Sequence, residues 1–562
     1  MAIASRYAAV LLVVLSTGLC VSTYRYFGHT WDEPEHLAAG IQLLDRGQYT
    51  YDIQHPPLAR LAMALGPYIA GVHSFGEPGP SGEQEGRDLL YRTVGYDRVL
   101  TLARLGVLPF LLVMFGAAYV LMRRILGDTG ALLATFFLAT TPTILGHAGV
   151  AALDVPAAAM CTLALYLLVR WIEVPSWHTS LLLGAGAGLA VGTKLSAIPF
   201  LFLFGIVLLA SRAVLGDRAT AGPSTSLRPY LGGVLLVVPG ALIAVTLAYG
   251  GRFELLLDES RQSNPAIDYL TAPGTVPHEV LAMLARRVPL PLAAEKLPLG
   301  IRELIEHNRE GHLSFLLGEV RKTGWWYFYL VALAVKTPIP LLILGSVGLA
   351  LLSAAGIRRG EWRLLVPGAS FAAVLVFCCA YSRINIGVRH ILVLYPLLAG
   401  GAAHATMSAW RAWRNPAARG VLAALLIWQA SALWTAYPDY LPYFNELAVR
   451  RPEAVLIDSD LDWGQDMRRL EQEMKQRNVR QFSFAFRGTT DWIREDLPPF
   501  TYLPPDVRTT GWVAVDLLAK LMLSNGGDGF AWLNEYQPVT RVGKTIDLYY
   551  IPPGESSDRA AD

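Results

Sequence analysis

The feature that most constrains this chain is the recurrence of apolar stretches close to the ~20 residues an α-helix needs to cross a bilayer. They run approximately over 7–24, 99–121, 130–146, 154–171, 180–196, 197–212, 230–249, 327–352, 364–381, 390–408 and 419–436, which predicts about eleven spans. Lys194 and Pro199 interrupt one continuous run, so the division between the fifth and sixth is the least defined. With 53% hydrophobic and 16% charged residues the sequence is too oily for an ordinary soluble domain, and membrane helices account for the excess. The stretch at 8–21 follows a short basic start but lacks a small-residue cleavage site, so it reads as a retained first helix and not a secretory signal. A formal net charge of +2 gives no bulk attraction for nucleic acid. Cys20, Cys161, Cys378 and Cys379 all lie in apolar runs, where a buried thiol is expected before a disulfide framework or a zinc site.

Arginine placement predicts orientation. Arg123 and Arg124; Arg212, Arg218 and Arg228; Arg358, Arg359 and Arg363; and Arg411, Arg414 and Arg419 fall in alternate short connections, which are therefore cytoplasmic. Arg6 is on the same side, and an odd number of spans leaves the C-terminus outside. The long connections 25–98 and 250–325 and the short ones near 147–153 and 382–389 are then extracytoplasmic. The chain divides into a membrane domain, 1–437, and a tail, 438–562, in which charge rises and long apolar runs end. Strands at 453–457 and 482–486 flanking a helix at 465–476, then a strand at 512–515 and a helix at 517–523, predict a small α/β domain with a disordered end after Pro553. Glycines 184, 188 and 192, four residues apart, predict close approach of a second helix.

Polar residues crowd into the outside connections. The first begins with Trp31-Asp32-Glu33-Pro34 and reaches His55-Pro56-Pro57-Leu58. A carboxylate pair beside a membrane can act as a general base or a metal ligand, while a plain helix cap at Asp32 is the alternative. Asp154 follows His147 in a later connection and has the same two readings. Lys194 emerges near the outside end of the fifth span, and Arg383, Asn385, Arg389 and His390 occupy the connection after the ninth. Cations on the side where few are expected point to an anionic ligand, phosphate first, because guanidinium binds it through two donors; snorkelling anchors are the competing reading. Asp458-Ser459-Asp460-Leu461-Asp462 in the tail fails as a calcium loop, since its glycine is one place late and Arg469 stands where the bidentate glutamate belongs.

Taken in order, Trp31-Asp32-Glu33, His55-Pro56-Pro57-Leu58, Leu153-Asp154-Val155-Pro156, Gly192-Thr193-Lys194-Leu195-Ser196, Ile384-Asn385-Ile386-Gly387-Val388-Arg389-His390 and Asp462-Trp463-Gly464-Gln465 resemble the lipid-carrier-dependent glycosyltransferases of the GT-C fold. That group includes the protein O-mannosyltransferases and the lipid A aminoarabinose transferase. The resemblance implies an α-helical polytopic fold with a catalytic base at Asp32, Glu33 adjacent to it, and a second acidic contribution at Asp154. On this reading Lys194, Arg383, Arg389 and His390 bind the donor phosphate, and His55, His147 and Asn385 contact substrate. Glu33 and Asp154 would orient the acceptor or hold a divalent cation such as Mg or Mn, two alternatives that stay open. The expected partners are a polyprenyl-phosphate-linked sugar and an acceptor protein, glycolipid or polysaccharide. The competing class is a lipid-linked-sugar flippase, which would place its ionisable groups near the midplane and not at one face. No Asn-x-Ser/Thr site occurs, which leans toward a bacterial inner membrane.

Overall fold

The computed structural model describes residues 2–76, 81–215, 228–257, 263–271, 273–522 and 529–553. Arg218 and the tail beyond Pro553 lie outside the described residues. The chain opens with α1 (Ala2–Ser22). The first long connection is itself helical, with α2 (Glu33–Arg46), α3 (Leu58–Ile69), α4 (Gly82–Tyr91) and α5 (Tyr96–Leu105). Then come α6 (Leu108–Ala139), a short α7 (Pro142–Ala148), α8 (Asp154–Glu173), α9 (Trp177–Val191), α10 (Ala197–Leu215) and α11 (Arg228–Ala248). The second long connection carries β1 (Phe253–Glu254), α12 (Pro265–Leu270), α13 (Val276–Arg287), β2 (Leu290–Pro291), α14 (Leu292–Glu310) and the hairpin β3 (Ser314–Leu316) and β4 (Glu319–Arg321). The bundle closes with α15 (Phe328–Lys336), α16 (Ile339–Arg359), α17 (Val366–Tyr381), α18 (Leu394–Ala412) and α19 (Pro416–Thr435).

Among the described residues seven helices are long and apolar enough to cross a membrane, and α3, α9 and the segment 233–248 are shorter apolar helices. One of the seven spans Tyr96–Ala139, 44 residues that take in α5, a turn at 106–107 and α6, which at 1.5 Å per residue would be about 66 Å long if straight, twice the bilayer core. Gly127, at φ 78, breaks it, so the two stretches expected at 99–121 and 130–146 are limbs on either side of a glycine break. The second limb ends at Ala139, and the residues after it form α7. The stretch expected at 327–352 is likewise cut, at Thr337-Pro338, because proline cannot donate into the helix that would continue α15. α8 is the most deeply buried of the seven, while α1, α10 and α19 bury little and present side chains such as Val14 and Leu15 outward. Water would penalise that surface, whereas lipid accepts it.

The glycine ladder is a packing device. A Cβ on Gly184 or Gly188 would run into the backbone of α11 at Val237 and Ala241, and one on Gly192 would lie 2.6 Å from Ala248 Cβ. α8 has Asp154 at one end and Glu173 at the other. Glu173 takes Arg363 at 2.5 Å and also Arg124, so these basic residues gather about 30 Å from Asp154 along a helix of 20 residues.

The tail contains α20 (Met467–Gln476), β5 (Phe482–Ala485), β6 (Phe500–Tyr502), β7 (Gly511–Asp516), α21 (Leu517–Met522), β8 (Thr540–Val542) and β9 (Ile546–Ile551). Its sheet has the order β6-β5-β7-β9-β8, with β5 parallel to both neighbours and β9 antiparallel to β7 and β8. Met467, Leu470 and Met474 of α20 cover one face against Phe482 and Phe484; Phe530, Trp532 and Leu533 cover the other. The expected strand at 453–457 is not one. Pro452 opens a single 3-10 turn there, and Leu456 and Ile457 pack into the membrane core together with Tyr440, Phe444 and Leu461. Residues 438–466 therefore lie on the bundle, and the sheet module begins at α20.

Candidate functional site

Asp32 directly precedes α2, yet its side chain makes no capping bond. The carboxylate points instead to Arg389, whose Nη1 donates to Oδ2 at 2.6 Å. Asp154 is the first residue of α8, with Leu153 as the cap position. It is buried, with Oδ2 3.8 Å from Arg389 Nη1 and Oδ1 accepting from Lys194 Nζ at 2.7 Å. Lys194 lies in the turn between α9 and α10, fixed because Leu58 N, just after His55-Pro56-Pro57, donates to Gly192 O at 2.9 Å. Two carboxylates and two cations thus alternate in one string, Asp32–Arg389–Asp154–Lys194, built from four separate parts of the sequence. The cleft beside the string is lined by Asp154, Lys194, Ser196, Arg389 and His390 on its polar side and by Ala157, Phe200 and Leu392 among its apolar residues, while Asp32 reaches it through Arg389 and does not itself line it.

The electrostatics keep this string ionised at Arg389. Burial opposes charge there, but Asp32 and Asp154 outweigh it and hold the guanidinium pKa above the ordinary arginine value. Arg389 Nε is buried with no hydrogen-bond partner among the described residues, a donor left open for a further anionic oxygen. His390 Nδ1 lies 3.2 Å from Tyr329 Oη. His147 is buried with neither ring nitrogen partnered among the described residues; burial, against the pull of Asp154, pushes its pKa down to about 3, so it is neutral at pH 7. His55 stands farther along, 3.9 Å from Asp52, and burial lowers it to about 4 despite that carboxylate.

Three expected site residues are placed otherwise. Glu33, next to Asp32, faces away from the cleft. It accepts Arg104 Nε and Nη2, each at 2.8 Å, and the backbone N–H groups of Thr30 and Ala151, each at 2.7 Å. With both oxygens filled and the residue 2% exposed, Glu33 is a buried structural ion pair and has no lone pair free for a proton or a metal. Arg383 is exposed, its Nη1 3.5 Å from the Arg309 carbonyl, and it does not line the cleft. Asn385 is buried, and its side-chain oxygen accepts from Trp325 N at 2.7 Å, so it ties down a loop. Nor do Glu33 and Asp154 fit a divalent-cation pair, because each is already neutralised by its own cation; among the described residues no grouping of three His, Cys, Asp or Glu could hold a metal ion.

Residues 98–240 match the family model described as dolichyl-phosphate-mannose-protein mannosyltransferase. That stretch holds Asp154 and Lys194 but neither Asp32 nor Arg389. The chain is also similar to solved structures. ArnT from Cupriavidus metallidurans, solved bound to undecaprenyl phosphate, is 14% identical with a TM-score of 0.47, over 96% of this chain and 97% of that one. The oligosaccharyltransferase AglB from Archaeoglobus fulgidus, solved with an inhibitory peptide and a dolichol-phosphate, is 12% identical with a TM-score of 0.45, over 90% of this chain and 62% of that one. No curated protein matches the chain.

The structure also brings in residues that were not expected. The Trp463 ring lies under the Arg389 guanidinium, 4.4 Å from Cζ to the ring centroid. Asp458, at φ 57, adds a third carboxylate charge near Arg389 and Asp32; burial raises its pKa to about 6 in spite of Arg389. Glu35 lies one helical turn beyond Asp32, on the same face of α2, and burial followed by the Asp52 charge raises its pKa to about 7.

Proposed function

We propose that the protein is an extracytoplasmic membrane glycosyltransferase that moves a sugar from a polyprenyl-phosphate carrier to an acceptor hydroxyl, with inversion. The observation that carries this reading is the string Asp32–Arg389–Asp154–Lys194, with contacts of 2.6, 3.8 and 2.7 Å, beside a cleft with an apolar wall. An isoprenoid tail needs an apolar wall, its phosphate needs fixed cations, and the attacking hydroxyl needs a base beside them.

The donor phosphate enters between Lys194 and Arg389, taking the open Nε and loosening Arg389 from Asp32. Asp32, freed from its partner, removes the proton as the acceptor oxygen bonds to the anomeric carbon. The bond from that carbon to phosphate oxygen breaks, and its electron pair stays on the departing polyprenyl phosphate, where Arg389 and Lys194 hold the added charge. A phosphate leaving group needs no general acid, so one carboxylate suffices and a single displacement inverts the anomeric centre. His390 and His147, neighbours of the same charges, serve substrate placement, and His55 the acceptor side. Because the gathered arginines lie at the opposite end of α8, the site faces away from the cytoplasm, in a bacterial inner membrane.

The test is purified protein in liposomes supplied with polyprenyl-phosphate sugars and envelope extracts as acceptor source. The parent should transfer label, and Asp32→Asn should lose about 10²–10⁴-fold of the rate, the usual share of a general base. An Asp32→Asn protein as active as the parent overturns the assignment.

A further inference from the structure

Short contacts from the tail converge on the two membrane-domain loops that make the site. Asp460 accepts the Val388 N–H with both carboxylate oxygens, at 3.0 and 3.3 Å, and Ser459 Oγ donates to Ile386 O at 2.5 Å. A side chain on Gly387 would collide with Ser459 Oγ. On the other loop, Trp31 N donates to Trp463 O at 2.9 Å and Gly28 N to Gln465 O at 3.0 Å. Segment 458–465 is therefore bonded both beside Arg389 and beside Asp32, and between those attachments stands the buried ring of Trp463, 2% exposed.

Resting on the glycosyl-transfer reading above, we propose that Trp463 is a positioning residue that keeps the Arg389 guanidinium in the phosphate-binding attitude throughout the reaction. Among the described residues Arg389 has one hydrogen-bond partner, Asp32, with Asp154 farther off at 3.8 Å, and turnover takes that partner away: Asp32 releases the guanidinium as phosphate enters and then carries the acceptor proton. The face of an indole attracts a cation whatever the proton does, and it uses none of the five N–H donors. Held over the ring at 4.4 Å, Arg389 keeps its unpartnered Nε available for a phosphate oxygen. The catalytic centre is thus completed by the tail, which supplies the surface on which the membrane domain's arginine lies.

The experiment measures binding of undecaprenyl phosphate, which needs no chemistry, in the full-length parent, Trp463→Leu, Trp463→Phe, Arg389→Ala and the Trp463→Leu/Arg389→Ala double variant. Trp463→Leu should weaken binding about 2- to 30-fold, the range spanned by cation–π contacts, and Trp463→Phe should fall between it and the parent. In the Arg389→Ala background the leucine change should have no further effect, because the residue acts through the guanidinium. Trp463→Met serves in place of leucine should that protein not fold. Binding equal to the parent in a folded Trp463→Leu protein, or an equal loss with and without Arg389, overturns the inference while leaving the donor reading intact. A parent that does not bind undecaprenyl phosphate overturns both.

Discussion

Adjacent acids with opposite roles provide the sharpest perturbation. Glu33→Gln removes the charge facing Arg104 while preserving size. Arg104 is 0% exposed and Glu33 2%, and their two 2.8 Å contacts form one bidentate pair. Leaving that guanidinium buried without a counter-charge should cost about 3–5 kcal/mol. The new amide N–H groups must also face donors already pointing inward from Thr30 N and Ala151 N, so the substitution adds mismatch to the lost charge. At Asp32 the balance differs. Asp32→Asn leaves Arg389 beside Asp154 at 3.8 Å and against Trp463, so the guanidinium keeps a counter-charge and the loss should be smaller than at Glu33. The assay is paired: thermal unfolding in detergent at a fixed scan rate, because melting of a membrane protein is rate-dependent, and sugar transfer well below the melting temperature. Glu33→Gln should melt about 2–4 °C lower with transfer per folded molecule within about threefold of the parent. Asp32→Asn should melt near the parent and transfer almost nothing. A Glu33→Gln protein that melts with the parent and is inert would refute the division of labour between the two carboxylates.

Other expectations can be checked in the same preparations. Arg389→Lys keeps the charge but loses the planar fork and most of the stack on Trp463, so kcat/KM for the lipid-linked donor should fall tenfold or more, whereas Arg383→Ala should stay within about threefold. Gly188→Leu forces α9 away from the α11 backbone at Ala241 and should lower both the yield of folded protein and its melting temperature. Glu35, raised to about 7 by burial and then by the Asp52 charge, binds its proton more tightly folded than unfolded. Its ionisation therefore removes stability as pH rises from about 4.5 through about 7, and Glu35→Gln abolishes that loss. The melting temperature of Glu35→Gln relative to the parent should rise between pH 5 and pH 7.5, and a difference that does not change with pH would contradict the raised affinity.

Much of this architecture is legible in the residues, and the part that is not has a physical cause. Apolar length fixes which segments are membrane helices, but hydropathy is blind to a Gly127 break inside one hydrogen-bonded run or a proline cut at 337–338, because those depend on backbone angles and not on oiliness. Asp32, Asp154, Lys194 and Arg389 could be nominated because charge at a membrane face is costly and needs a reason. Their pairing could not, since the partners are separated by 357 and 40 positions along the chain. Glu33 shows the limit most clearly. Nothing local distinguishes it from Asp32, because successive residues at a helix start point about 100° apart, one toward Arg389 and one toward Arg104. A signal did exist at a distance: Arg104 sits inside an apolar run, where an arginine is tolerated only with a partner. Trp463 was visible only as part of a motif. Its meaning came from the stack on Arg389, a contact made by folding the tail back over the bundle, and such a contact leaves no periodicity to read. The residues that carry charge announce themselves in a membrane sequence, while those that hold the charge in place look like ordinary core until the chain is folded.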